Sequence, residues 1–398
     1  MKKLLLSASF FTIIVMILNF GFKIYLSYKI NKDEIGVFYT FIDFVSIGVM
    51  MFSGYKDSLV RAYDKKGFEK VTYWYLFSFF ILFFIVLFFE IIFYNFSNFD
   101  YSVYFLVSLF FLNTLSIFLS YFVSAHKIYK VMLFENFILA VGLIVGFFIF
   151  NFFMDGIESL IFAFIISFLF KIVYLLYFSK VKFVMQKSKV SEQKEFFKNV
   201  LLSGFTYFVS GFFVGMSSLL VLYFFNDKIF LADYQIVIKS VFFSLVAVFV
   251  YPLNSFTFPQ VSKLISEQKK DELFRINKLL VKYLVVLFFL LFVSTFFTKF
   301  IIGLVFPKEY MQSYKMLNLL LPLLPFIAYT TFALNIIKGY DRFDLALYVR
   351  FFGSLMFFVS VYIFYILGFD AKSIVYSLDI SFFVMFLLAY FYKRKVLS

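Results

Sequence analysis

Residues Ser179 to Asn199 read SKVKFVMQKSKVSEQKEFFKN, and six of them are lysines: Lys180, Lys182, Lys187, Lys189, Lys194 and Lys198. Such a segment does not enter lipid, where a single Lys or Arg at the bilayer centre costs about 2.5–3.5 kcal/mol even on lenient insertion scales. Very apolar chain of nearly equal length lies on either side. The pattern predicts an all-α polytopic membrane protein with an N-terminal lobe over 1–178, a basic cytoplasmic connector over 179–199 and a C-terminal lobe over 200–398.

Composition points the same way. Hydrophobic residues make up 64% of the chain and charged residues only 15%, whereas a soluble domain carries about a quarter charged residues. Aromatic residues reach 26%, with 72 Phe, more than one aqueous-protein core accommodates, so much of that surface is expected to face lipid. No small-residue cleavage site follows Met1-Lys2-Lys3, and the first helix is expected to be retained. The absence of cysteine removes disulfides, thiolate metal sites and cysteine nucleophiles together. A net charge of +14 invites a nucleic-acid reading, but the charges sit in short loops between apolar runs, the signature of membrane orientation. The lipid bilayer, not nucleic acid, is the expected partner.

A window of about twenty residues yields about twelve apolar runs. They centre near Ile14, Ile47, Leu82, Phe110, Leu143 and Ile165, and then near Gly211, Val246, Phe288, Leu324, Phe357 and Met385. With a cytoplasmic N-terminus, the inner segments hold about 25 Lys and Arg and the outer ones about six, Lys29, Lys32, Lys228, Lys308, Lys315 and Lys372. Both termini and the connector are therefore expected on the cytoplasmic side of the membrane. The outer loops are short, leaving no extramembrane domain to house aqueous catalysis.

Enzyme signatures are missing. His126 is the only histidine and reads as a solvated loop residue; no Gly-rich loop carries a Walker lysine, and no cofactor is expected. The informative residues are charges inside apolar runs, because lipid makes them costly. Lys23 falls in the outer half of the first run, Asp43 in the second and Lys239 in the eighth. Lys171, Lys282, Lys299 and Arg350 lie nearer run ends, where a long stem reaches the interface, and Glu90 and Glu135 read as interfacial. Gly142-xxx-Gly146 and Gly211-xxx-Gly215 predict close helix packing within the monomer. All five prolines lie in the second half, and Pro322 with Pro325 predicts a kinked, gating tenth helix.

The halves also resemble each other. Gly36-Val-Phe-Tyr-Thr-Phe-Ile-Asp43 and Ala232-Asp-Tyr-Gln-Ile-Val-Ile-Lys239 share a small residue, an aromatic, an isoleucine and a charge at equal offsets. Internal repeats of this kind are the ground plan of many transporters, whose substrate path runs between the repeats.

At four places the chain resembles a known family. Asp33-Glu34-Ile35-Gly36-Val37-Phe38 follows the first run, Ala232-Asp233-Tyr234-Gln235 the seventh, Pro259-Gln260-Val261-Ser262-Lys263-Leu264 the eighth, and Phe306-Pro307-Lys308-Glu309-Tyr310 precedes the tenth. In these stretches the sequence is similar to the polysaccharide (O-antigen type) flippases of the multidrug/oligosaccharidyl-lipid/polysaccharide exporter superfamily. It departs at Pro307, where Gly is usual after Phe, and at Ala232, where Gly is commoner. The resemblance implies two six-helix lobes around a central cavity, alternating access, and a polyprenyl-pyrophosphate-linked oligosaccharide as substrate. Lipopolysaccharide, capsule or exopolysaccharide assembly in the inner membrane of a bacterial cell is the implied setting, with other polysaccharide-assembly membrane proteins as companions.

The expected substrate site is Lys23, Asp43 and Lys239, the lysines holding pyrophosphate and Asp43 orienting Lys23. A purely structural Asp43–Lys23 pair is the alternative. A cation-coupled drug exporter of the same superfamily would need acidic residues in its cavity, where this chain places mainly lysine. A polymerase or ligase resembles proteins with a large outer loop carrying Arg or His, which this chain lacks.

Overall fold

A computed structural model describes residues 2–56, 59, 68–95, 99–126, 128–179, 190–250, 261, 264–265, 267–340 and 342–397. Every described segment of regular structure is helical. This follows from the solvent: a lipid core offers backbone N–H and C=O groups no partner, so each apolar run must satisfy its own. Among the described residues, eleven helices are long and apolar enough to cross a membrane, and Phe134–Phe150 adds a shorter apolar helix. All twelve expected centres lie in helices.

The chain divides into two compact units, Met1–Leu219 and Leu220–Ser398. The first contains α1 (Lys2–Lys29), α2 (Lys32–Met50), α3 (Phe68–Asn95), α4 (Val103–Ala125), α5 (Tyr129–Phe150), α6 (Gly156–Ser179) and α7 (Val190–Leu220). Of the connector, residues 180–189 lie outside the described residues, and 190–199 form the opening turns of α7. Most of the Pro259–Leu264 stretch also lies outside them.

Small residues set the packing of the first unit. A Cβ on Gly142 or Gly146 of α5 would stand 3.2 Å from the Cα of Ser167 or Ala163 on α6. Two small-xxx-small faces therefore meet, as close helix approach in lipid requires. On α7, Gly204, Gly211 and Gly215 recur at spacings of seven and four, which places them on one face. That face receives α2: a Cβ on Gly211 would meet Met50, one on Gly215 would meet Ile47, and one on Gly54 would fall 2.1 Å from the Val200 carbonyl oxygen. Part of the Phe excess lies outside this core. Phe77, Phe80, Phe84 and Phe88 form an exposed stripe along α3, at the three-to-four-residue spacing of a lipid-facing helix side.

The second unit begins with π-turns over Val221–Phe225. Its helix α8 has three parts: Lys228–Ala232, a π-helical stretch Asp233–Ile238, and Lys239–Phe249. There follow α9 (Lys270–Ser294), a short helix Thr298–Val305, α10 (Ser313–Gly339), α11 (Phe343–Ile366) and α12 (Ser373–Leu397). The tenth helix is interrupted where the prolines fall: Ser313–Leu320 gives way to a 3₁₀ turn at Leu321–Leu323 before Leu324–Gly339. Each proline lacks the N–H that would close an α-turn, and the tighter turn absorbs the loss.

Several charges lie deeper than their sequence positions suggest. Lys171 is buried on α6, where its Nζ stands 3.7 Å from Glu135 of α5, and Glu135 accepts from Ser120 of α4 at 3.0 Å. Lys171 therefore ties three helices together instead of reaching the interface. Lys393, one of the tail cations, is buried in the second unit; its Nζ donates to Asn277 Oδ1 at 2.9 Å and to the Tyr329 hydroxyl, and sits 4.5 Å from that ring's centre. His126 is half-buried and ends α4, its Nδ1 donating to the Phe122 carbonyl at 2.7 Å. Burial holds its pKa below the ordinary histidine value, against the opposing effect of that bond.

Candidate functional site

In the first unit, α1, α2 and α7 meet around an unusual group. Lys23 of α1 is half-buried, and its ammonium lies 4.4 Å from the centre of the Tyr39 ring on α2. A cation over an aromatic face gains about 0.5–2 kcal/mol, more as water is removed. Asp43 stands one turn further along α2, on the same side as Tyr39. It accepts from Ser218 Oγ of α7 at 2.8 Å, and that hydroxyl also approaches the Gly215 carbonyl at 3.0 Å.

The geometry has a simple local cause. Asp43, Ile47, Met50 and Gly54 recur at four, three and four residues, so α2 turns one face to the glycine face of α7. Asp43 is the polar member of that seam, and a serine meets it where glycines meet the others. Two of the three expected site residues, Lys23 and Asp43, are thus linked through the side of α2 that carries Tyr39.

Lys239 belongs to the second unit. It is half-buried and opens the last part of α8, directly after the π-helical stretch. The π-turns bear on the expected equivalence with Asp43. Helix α2 is regular from Gly36 to Asp43, whereas Ala232 to Lys239 passes through wider turns, so equal spacing does not give equal direction around the two helices. Pro322, also in the second unit, lies within the 3₁₀ interruption of α10, and Pro325 follows it in the first turn of Leu324–Gly339.

Two further groups were not legible as such in the sequence. Glu90 of α3 is buried against Gly48 of α2, where a Cβ would come 2.2 Å from Glu90 Oε1. The second group joins two of the stretches that carry the family resemblance. Asp233, at the start of the π-helical stretch, accepts from Ser313 Oγ of α10 at 2.9 Å. Tyr310 lies fully buried beside it, its phenol held above the ordinary pKa by burial first and then by the charges of Asp233 and Glu309. In the first unit, Tyr101 plays a similar part: burial, Glu34 and Asp100 raise its pKa, and its ring packs on Phe41 at 5.0 Å. Asp233 and Tyr310 therefore hold the start of the π-helical stretch against the chain that enters α10.

Among the described residues, no group of three or more His, Asp or Glu is arranged to hold a metal ion.

A sequence profile described as polysaccharide biosynthesis protein matches residues 3–237. No curated protein matches the chain. The fold is similar to that of the lipid II flippase MurJ in an inward closed conformation, with a TM-score of 0.76 and 16% identity over 96% of this chain and 86% of that one. It is also similar to an inward-facing multidrug resistance MATE family transporter of the MOP superfamily, with a TM-score of 0.74 and 12% identity over 96% and 94% of the two chains. A third similar structure is a MOP superfamily transporter from Pyrococcus furiosus, with a TM-score of 0.60 and 14% identity over 100% and 96%. At these identities the likeness is one of fold. The profile match covers more than half of the chain, and the chain belongs to the polysaccharide biosynthesis protein family.

Proposed function

We propose that this protein is a flippase that moves a polyprenyl-pyrophosphate-linked oligosaccharide from the cytoplasmic to the outer leaflet. The observation that carries the reading is Lys23, a half-buried intramembrane cation held over Tyr39 beside an acid whose hydrogen bond is met by Ser218. In this reading Asp43 steadies α2 through Ser218, and the Lys23 ammonium is offered to the substrate phosphates. Lys239 offers a second cation from its own unit. An ammonium in a site of low dielectric compensates a pyrophosphate strongly. An inside-negative potential also favours outward passage of an anion by about 2.3 kcal/mol per charge per 100 mV. Family membership supports the substrate class, and the cytoplasmic excess of Lys and Arg supports an orientation with both termini and the connector inside.

The test is export in a polysaccharide-producing cell lacking its own flippase. Lys23→Arg and Lys239→Arg retain much of the export, and Lys23→Gln and Lys239→Gln lose most of it at unchanged protein level. Normal export by both Gln variants overturns the site. Failure of the unaltered chain to restore export with any polysaccharide, together with lowered accumulation of cationic drugs, overturns the flippase reading in favour of a drug exporter. Reporter fusions at Lys189 and Ser398 test the orientation, with cytoplasmic activity expected at both.

A further inference from the structure

Glu90 lies on α3 with its carboxyl pressed into the space left by Gly48 on α2. The residue is 6% exposed, and its Oε2 is buried without a hydrogen-bond partner. Aromatic layers close the α2–α3 seam on both sides of it. Outward, Tyr94 packs on Phe41 and Phe44 at 6.3 Å, with Phe99 against both phenylalanines. Inward, Phe52 packs on Phe79 at 4.6 Å and Tyr55 on Tyr75 at 5.3 Å.

Among the described residues, no cation answers the carboxyl. Helix α4, another neighbour of α3, contains no Asp, Glu, Lys or Arg, and the tyrosine at its outer end, Tyr104, is exposed. Helix α7 meets α3 at Trp74 and Phe196, about 24 Å inward of Glu90 at 1.5 Å per residue. On α2 the facing residue is Gly48. The acid Asp43 is engaged with Ser218 on α7, and Lys32 lies about 24 Å up the helix at 1.5 Å per residue. On α3 itself, Tyr94 stands one turn outward and donates to the Tyr101 carbonyl. An ionised carboxylate that is buried without a counter-charge is costly, so the group neutralises or leaves.

We propose that Glu90 is a proton-binding site: its carboxyl docks on Gly48 only in the neutral form, and loss of the proton expels it from the seam between α2 and α3. The chemistry is the transfer of one proton between water and one carboxylate oxygen, with no other reactant. Helix α2 carries Gly48 on one side and Asp43, Ile47 and Met50 toward α7 on another, so a proton at Glu90 acts on the helix that holds Tyr39 under Lys23. The site rests on its own geometry; its link to export rests on the function proposed above.

Infrared difference spectra of the full chain in proteoliposomes read the proton directly. At neutral pH the wild type is expected to show a protonated-carboxyl C=O band that Glu90→Gln removes, because Gln has the shape of the neutral acid and no proton to lose. Gly48→Ala, which leaves no room for the carboxyl, is expected to abolish or shift the same band. Wild-type and Glu90→Gln spectra that coincide in this region at neutral pH overturn the site. A band unmoved by Gly48→Ala overturns the docking, and serves as the control if Glu90→Gln does not fold. Export measured across pH supplies the second arm: the wild-type rate varies with pH, and Glu90→Gln flattens that dependence. Equal pH dependence in both overturns the link to transport. A chain that exports no polysaccharide but keeps the Glu90 band refutes the proposed substrate and leaves the proton site standing.

Discussion

The two units fasten a helix start to the chain entering a later helix by different chemistry, α2 to the chain before α4 in the first and α8 to the chain before α10 in the second. In the first unit the fastening is aromatic: Tyr101 packs on Phe41 at 5.0 Å and Phe38 at 6.4 Å, with Phe99 and Tyr94 stacked beside them. In the second it is polar: Asp233 receives the Ser313 hydroxyl and Tyr310 lies against it. The aromatic version accompanies a regular α2, and the polar version accompanies the π-helical stretch of α8. A repeated plan therefore fixes where two segments meet without fixing which forces join them. Dispersion and apolar burial serve where the helix is regular. A hydrogen bond with a defined direction serves where the backbone departs from the α form.

The largest break in this comparison is expected from Phe41→Ala, since deleting a buried phenylalanine costs about 3–5 kcal/mol. Thermal unfolding of the purified protein in detergent should show it as the greatest loss among these variants. Ser313→Ala comes next, because it removes the buried hydrogen bond that Ser313 donates to Asp233, a loss of about 1–3 kcal/mol. If Ser313→Ala proves harmless, the polar fastening is not what holds the second unit there.

The smallest effect is expected from Tyr310→Phe and Tyr101→Phe, and it is one of pH. Both phenols are held above the ordinary value of about 10 by burial and neighbouring acids, so the folded chain keeps them neutral where the unfolded chain would ionise. Their share of stability is fully present below that pH and is lost as pH rises above it. Each Phe variant should match the wild type at neutral pH and lose less stability on the alkaline side. An alkaline decline unchanged by both substitutions would assign it to other groups.

How much of this was readable in advance depends on whether a feature has a sequence signal of its own. Lipid enforces long apolar runs, so all twelve helices showed themselves, and Pro322 and Pro325 announced the break in α10 because proline lacks the donor that an α-turn requires. The glycine spacings on α5 and α7 were likewise explicit, though not the partners they would meet. Glu90, Glu135 and Lys171 misled because a charge near a run's end has two outcomes, the interface or a neighbour in the bundle, and sequence distance does not separate them. The π-helical stretch in α8 carries no residue signature, since it adds a residue to a turn without demanding a particular side chain. Lys23 and Asp43 stood out by cost alone; Ser218, the partner of Asp43, is a common residue in an apolar run and gave no signal.

Where the chain just past α2 crosses α7 at Gly54 and Gly204, backbone meets backbone, with a Gly54 Cβ denied even the space to exist. The contact itself has no interlocking teeth; the nearest are Met50 and Ile47, seated against Gly211 and Gly215 further along the seam. Asp43 lies about 16 Å along the arm from that point at 1.5 Å per residue, so a swing of about 10° carries it about 3 Å sideways. That displacement is as long as the bond to Ser218 itself. The crossing thus sets the length of a lever: at the Asp43 end of the arm, one hydrogen bond beside Tyr39 and Lys23 spans no more than such a small angle at the glycine end.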